Sequence, residues 1–480
     1  MNKILKKYRN LSPLAKASFW FLFCSLLQKG IQIITTPIFT RIMTAAEFGD
    51  FNVFTAWQSI ISIFISLNLS AGVYNQGLVK FEDDRKRYSS SMQGLTLTLI
   101  LAWTIIYLIF QDFFNSLFSL NTGYMLLMIL LIWITAVYNF WASEQKVDYK
   151  YKKLVTITMI ASILSPIVSI GLMQVINDKV FARILGLAIV SLMSYTWMLV
   201  VQVKNGRELF SKKYWKHALA FNIPLIPHYL SQVALASADR IMIERMVGSA
   251  EAGIYSLAYS LSLVMTIFNN ALMQTISPWI YRKIKRKDIS DIKRVAYPTL
   301  IGIAAVNIIL IAFAPEIIKI FAPAEYTAAI YIIPPVAMSA YFMYAYDLFA
   351  KFSFYHEKTK LISLATMIGA LLNILLNYIF INIFGYIAAG YTTLICYFIY
   401  ALFHYLFMRR ICNKKHAGEQ PYSTMKLISI TSIFITTGFV FLFTYDMPVL
   451  RYILIAILFI SIIFFNKKIA RTIKYVIKPK

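Results

Sequence analysis

Residues 41–51 read RIMTAAEFGDF, and residues 245–255 read RMVGSAEAGIY. At an offset of 204 the pairs Arg41/Arg245, Ala46/Ala250, Glu47/Glu251 and Gly49/Gly253 coincide, and Phe51 meets Tyr255 as aromatic for aromatic. The same offset sets Gly186 against Gly390. Recurrence at a fixed spacing marks a duplicated structural unit. What that unit is depends on the sequence on either side.

On both sides the chain is apolar. Of 480 residues, 59% are hydrophobic and 14% charged, with 36 Phe and 31 Tyr, and the mean hydropathy is +0.66. A soluble domain carries about 25% charged residues, so the composition excludes a string of soluble domains and points to an integral membrane protein. A spanning helix needs about 20 mostly apolar residues. By that measure fourteen spans are expected. The first six cover about 14–39, 50–70, 89–110, 123–144, 154–176 and 181–203. The next six cover about 218–240, 252–280, 295–321, 326–350, 360–384 and 386–408. A final pair covers about 425–445 and 448–466. Lys3, Lys6, Lys7 and Arg9 make a basic start, but the apolar stretch from Leu14 to Ile38 has the length of a span rather than of a signal-sequence core.

The charge fits this division. The net charge is +26, from 47 Lys+Arg against 21 Asp+Glu. With the N-terminus inside, the tail, each even-to-odd loop and the C-terminal segment from Lys467 together hold 38 of the 47 basic residues. An excess of Lys and Arg in cytoplasmic loops sets orientation, so both termini are expected in the cytoplasm. Evenly spaced basic clusters are anchors, which excludes a nucleic-acid surface. Cys24, Cys396 and Cys412 make no disulfide framework, and five scattered histidines show no metal-ligand spacing.

The two copies of the repeat close the same end of the first and seventh spans. Six helices separate them, an even number, so both copies run the same way across the membrane. Parallel repeats of this kind imply two lobes related by an axis along the membrane normal. The expected fold is therefore all-α: fourteen transmembrane helices, two pseudo-symmetric six-helix lobes around a central cavity, and two appended C-terminal helices. In residues this gives an N-lobe over 1–203, a linker over 204–216, a C-lobe over 217–410 and a C-terminal helix pair over 411–480.

Ionisable groups at membrane depth are costly and face a cavity or a partner. Lys29 sits near the middle of the first span, and Ser25, Lys29, Gln32 and Thr36 share one helix face. In the seventh span Asn222, Tyr229, Gln232 and Asp239 share a face, with His228 and Arg240 beside it; Pro224 and Pro227 break its first turns. An interfacial ion pair of Asp239 and Arg240 with Glu244 or Arg245 is an alternative there. The tenth span holds Asp347 and Lys351 four residues apart, near Tyr341, Tyr344 and Tyr346. Those tyrosines suit either a sugar platform or an interfacial aromatic belt. Asp347, the deeper of the two, is a cavity candidate, with an ion pair at the lipid-water boundary as the alternative; Glu144 and Arg183, at span ends, and Lys351 are candidates for gating or coupling, as is His228.

A cavity with Lys29 and Arg240 attracts phosphate oxygens, and Gln, Asn and Tyr side chains suit sugar hydroxyls. There is no phosphate-binding Gly-rich loop, serine triad or paired-carboxylate constellation, so neither an enzyme nor an ATPase subunit is implied. Protons or sodium would drive such a transporter, with no cofactor and no metal.

The stretches Thr35-Thr36-Pro37-Ile38-Phe39-Thr40-Arg41, Glu47-Phe48-Gly49-Asp50-Phe51, Pro224-Leu225-Ile226-Pro227, Asp239-Arg240 and Ala252-Gly253-Ile254-Tyr255 resemble the Wzx-type O-antigen and capsule repeat-unit flippases. These belong to the superfamily of multidrug exporters and lipid II flippases. The resemblance implies transfer of undecaprenyl-pyrophosphate-linked oligosaccharide from the inner to the outer leaflet of the bacterial cytoplasmic membrane, with Lys29 and Arg240 on the pyrophosphate and Gln32, Gln232 and Asp239 as polar wall. It brings in membrane lipids and a polymerase and chain-length regulator of the same pathway as partners. Two alternatives stand beside it: a cation-coupled multidrug exporter of the same superfamily, and a membrane polymerase or ligase of lipid-linked sugars. Lys29 as the deep charge disfavours the first, and the short outer loops disfavour the second.

Overall fold

The structure, a computed structural model, describes residues 13–460. The basic N-terminal tail, the C-terminal segment from Lys467 and the end of the fourteenth predicted span lie outside the described residues. Within them every regular element is helical. The first half comprises α1 (Pro13–Ile42), α2 (Ala45–Ser66), α3 (Val73–Lys80), α4 (Arg85–Ile109), α5 (Gln111–Phe118), α6 (Thr122–Val147), α7 (Tyr151–Met173) and α8 (Lys179–Gly206). Next come α9 (Lys212–Asn222), α10 (Ile226–Met246), α11 (Ser249–Ser262), α12 (Met265–Lys285), α13 (Lys293–Ala312) and α14 (Ala314–Phe321). The remainder is α15 (Ile333–Tyr355), α16 (Thr359–Phe384), α17 (Ala388–Lys415), α18 (Thr424–Phe443) and α19 (Pro448–Ile460).

Among the described residues ten helical stretches are long and apolar enough to cross a membrane, and eleven if the bent pair Ala324–Tyr331 and α15 is one span. The chain is a multi-pass membrane protein. Three of the predicted spans fall outside that set. Helix α2 carries Glu47 and Asp50 in its first turns, and α10 carries Asp239, Arg240, Glu244 and Arg245, so both are less apolar than their neighbours. Helix α19 is described for only part of its predicted length. Pro224 and Pro227 act as expected: α9 ends, a 3-10 turn runs over Ile223–Leu225, and α10 begins.

The chain divides into two compact units. The first contains residues up to Phe39 and Asp50–Val233. In it α8 packs on α4, α6 and α7, and Tyr74, Tyr88, Phe140 and Tyr214 form a buried aromatic core with Leu69, Val73 and Met92. Gly186 brings α8 against Ser169 of α7, where a Cβ would meet the Ser169 backbone.

The second unit contains Thr40–Gly49 and the chain from Ala234 onward. Helix α15 is its centre, packed by α11, α12, α13, α16, α17 and α18. That position explains why Tyr341, Tyr344 and Phe352 are fully buried. The α15 tyrosines are therefore core rather than a sugar platform or a lipid-facing belt: Tyr341 pairs with Thr431 at 3.1 Å and Tyr346 stacks on Tyr400. Residues 41–49 of the first repeat copy and the whole of the second lie in this unit, and they touch each other. A Cβ on Gly49 would strike the Ser249 carbonyl oxygen, and one on Gly253 would strike the Ala45 carbonyl oxygen. Residues 45 and 249 are also 204 apart, so the contact of α2 with α11 is reciprocal. Beside it, Thr40 Oγ1 donates to the Phe321 carbonyl at 2.6 Å and Arg41 Nη2 to the Ile320 carbonyl at 2.8 Å.

Candidate functional site

In the first unit the polar face of α1 is built as the spacing predicts. Lys29 Nζ donates to Gln32 Oε1 at 3.5 Å, Thr36 Oγ1 donates to the Gln32 carbonyl at 2.7 Å, and Ser25 Oγ to the Phe21 carbonyl at 3.0 Å. Ser25, Lys29 and Gln32 are exposed, and no carboxylate pairs with Lys29 among the described residues. A cation with only neutral neighbours keeps its capacity for an anion. The proline break divides the seventh predicted span. Asn222 is buried, its Nδ2 donating to the Leu67 carbonyl at 2.8 Å, whereas Gln232 is exposed on α10. His228 is half-buried with Nδ1 unpartnered.

Glu144 accepts a hydrogen bond from Gln202 Nε2 at 2.7 Å, and Gln202 Oε1 accepts one from Gln93 at 2.7 Å. Tyr74 donates to Ser89 at 2.8 Å beside this chain. Burial, with the Glu144 carboxylate nearby, holds the Tyr74 phenol well above its ordinary pKa, so it remains a donor. Arg183 is held between two rings, its guanidinium carbon 3.8 Å from the centre of Phe39 and 3.6 Å from that of Phe51. Such stacking suits a planar cation.

In the second unit Asp239 is the most enclosed ionisable group of the predicted set, 1% exposed. Three neutral donors from three helices converge on it. Tyr255 Oη on α11 lies 2.6 Å away, Thr393 Oγ1 on α17 3.0 Å and Asn377 Nδ2 on α16 2.5 Å. Thr392 donates to Asn377 Oδ1, and Asn377 reaches Asn373 Oδ1 at 3.3 Å. Neither Asp239 nor Arg240 makes the alternative ion pair with Glu244 or Arg245 among the described residues. The Arg240 guanidinium lies over Tyr259, 4.7 Å from the ring centre, with its Nε unpartnered. Asp347 and Lys351 form an ion pair at 2.6 Å on α15, with the Lys351 side chain buried.

The sequence marks Asp239, and Tyr255 only as part of the repeat, but not Asn373, Asn377, Thr392 or Thr393 around it. The signal available was the pair Asn373 and Asn377, one turn apart in an apolar stretch. Chemically, a buried carboxylate whose hydrogen-bond donors are all neutral can take up a proton or a small cation without breaking a salt bridge. Lys29 and Arg240 are suited to anionic oxygens. Among the described residues no group of three His, Cys, Asp or Glu side chains is placed to hold a metal.

A model of the family described as "Polysaccharide biosynthesis protein" matches residues 14–284. An uncharacterized membrane protein of Haemophilus influenzae is 18% identical over 378 residues, 75% of this chain and 88% of its own. A Haloferax volcanii protein described as a probable low-salt glycan biosynthesis flippase, Agl15, is 22% identical over 425 residues, 85% of this chain and 86% of its own. Among solved structures, the lipid II flippase MurJ in an inward closed conformation is similar with a TM-score of 0.67 and 16% identity, over 94% of this chain and 99% of MurJ. An inward-facing multidrug resistance MATE transporter of the MOP superfamily is similar with a TM-score of 0.62 and 13% identity, over 82% of this chain and 96% of its own. At these identities the structures establish the fold, and it is the fold shared by these transporters.

Proposed function

We propose, from the premise that the chain belongs to the polysaccharide biosynthesis protein family, that it flips undecaprenyl-pyrophosphate-linked oligosaccharide repeat units from the inner to the outer leaflet of the bacterial cytoplasmic membrane. The products serve O-antigen, capsule or exopolysaccharide synthesis. The family match over residues 14–284 carries this reading, because it ties a transporter fold to polysaccharide assembly. Fourteen spans with both termini inside, and alternating access between two lobes, belong to the same proposal.

Residue roles follow from chemistry. Lys29 and Arg240 are assigned to the pyrophosphate: neither has a carboxylate hydrogen-bonded to it, and phosphate oxygens take charge-assisted bonds from such cations. Ser25, Gln32, Thr36 and Gln232 are assigned to sugar hydroxyls. Asp239 is assigned to ion coupling, with the Asp347–Lys351 pair, His228, Glu144 and Arg183 as elements that rearrange in the cycle. A polymerase and chain-length regulator receive the product.

The test uses a strain lacking this gene, with lipid-linked glycans analysed by leaflet. Single repeat units held on the cytoplasmic face, with no polymer outside, are expected. Unpolymerised units on the outer face point to a polymerase or ligase instead. An intact surface without accumulation points to a drug exporter.

A further inference from the structure

Helix α17 carries a second polar feature that the assignments above leave unused. Thr393, Tyr397, Tyr400 and His404 follow a 4, 3, 4 spacing and share one face of the helix. At one end of the stripe Thr393 donates to Asp239. Tyr397 is buried one turn further on. The Tyr400 hydroxyl pairs with Thr366 of α16 at 3.2 Å. From α15, Tyr346 packs on both Tyr400 and His404, at ring-centre distances of 4.6 and 5.5 Å. The next residue of α15 is Asp347, paired with Lys351. Thr393 and His404 are eleven positions apart, which at the rise of an α-helix is about 16 Å.

His404 is the anomaly. It is fully buried, and neither ring nitrogen has a hydrogen-bond partner. A neutral imidazole has one donor and one acceptor, and burying either unpaired costs about 1–3 kcal/mol. Its surroundings are the rings of Tyr400 at 4.6 Å, Tyr346 and Phe407. The charged groups on the elements packed against it are Asp347 and Lys351 on α15 and Lys360 at the start of α16. On α17 itself they are Arg409, Arg410, Lys414 and Lys415, all more than a turn further along. A core that only needed filling would hold leucine here. A group retained against stability marks a functional position.

We propose that this stripe is a proton route through the second unit: water protonates the part-exposed Asp347, His404 accepts that proton at one ring nitrogen and releases the proton of the other toward Tyr400 and Tyr397, and Asp239 receives it. The carboxylate becomes a neutral acid and the imidazole returns to neutrality, so no charge is stranded. The ion that drives transport is then the proton. The inference rests on the coupling role given to Asp239, and it adds the carrier and the ion.

The experiment reconstitutes the full chain in liposomes containing lipid-linked oligosaccharide extracted from the producing strain. A potassium diffusion potential is imposed in sodium-free buffer, and internal pH is followed with a dye. Wild type should acidify the lumen, and His404→Leu should slow acidification by about a hundredfold. The same variant should keep or raise the thermal midpoint, since leucine removes two unpaired polar atoms; a merely structural histidine would show the opposite. Tyr397→Phe should fall between the two. Wild-type flux that is absent or needs sodium, or a His404→Leu variant that acidifies like wild type, overturns the route. The flippase reading stands or falls separately, on whether the wild-type gene restores surface glycan to the deletion strain.

Discussion

Asp239 shows what a single side chain costs and does in this fold. An ionised carboxylate in an apolar interior is expensive unless donors replace its water. Tyr255, Thr393 and Asn377 supply three such donors, each neutral. Replacing it with asparagine keeps the shape and removes the charge. Asp239→Asn is therefore expected to reach the membrane at wild-type level with an unchanged or higher thermal midpoint. Glycan export should fall about tenfold or more, since an amide cannot take up the coupling ion. Export at the wild-type rate would remove Asp239 from the coupling role. Asp239 and Lys29 were legible in the sequence because an ionisable residue inside an apolar stretch is rare. Asn377 and Thr393 were not, because neutral polar residues occur in many spans and these lie more than 130 positions from Asp239.

Helix contacts carry the next layer. The reciprocal approach of α2 and α11 leaves no room for a side chain at Gly49 or Gly253, where each Cβ would strike a backbone carbonyl. Gly49→Val should destabilise the protein by about 1–3 kcal/mol through the forced backbone shift. Gly302→Ala, which faces open space on α13, should be neutral or stabilise by up to about 1 kcal/mol. Thermal unfolding in detergent reads both, and equal midpoints for the two variants would contradict the close crossing. A second contact joins the ends of α15 and α17, where His356 and His416 bring their Nε2 atoms to 3.1 Å. Burial lowers the His356 pKa, helped by His416, Lys415 and Lys358. Burial also lowers that of His416, with Glu419 opposing and Lys287 assisting. Around the ordinary histidine value of about 6.5 the unfolded chain then binds more protons than the folded one, so stability falls as pH drops through about 7 to 5. His356→Gln should flatten that slope of thermal midpoint against pH; an unchanged slope would place the acid sensitivity elsewhere.

At the scale of the whole molecule, apolar length and an offset of 204 residues made the class and the duplication readable, and the two repeat copies do meet in space. The tyrosines of α15 are core, neither platform nor belt, because a helix surrounded on all sides by others buries its aromatic residues, and local sequence does not show how many neighbours a helix has. The stretches of α2 and α10, expected as spans, are not among the helices long and apolar enough to cross a membrane, because charged residues and, before α10, a proline break lower their apolarity. The claim that unites the scales is that a cationic α1 face moves a pyrophosphate-linked sugar across the membrane. The most direct measurement places purified protein in liposomes with undecaprenyl-pyrophosphate-linked oligosaccharide on one leaflet and follows its arrival on the other with a membrane-impermeant glycosidase. Wild type should transfer the lipid, Lys29→Ala should lose transfer by about a hundredfold, and Lys29→Arg should keep part of it. Transfer by Lys29→Ala at the wild-type rate, or none by wild type under an imposed gradient, would contradict the account.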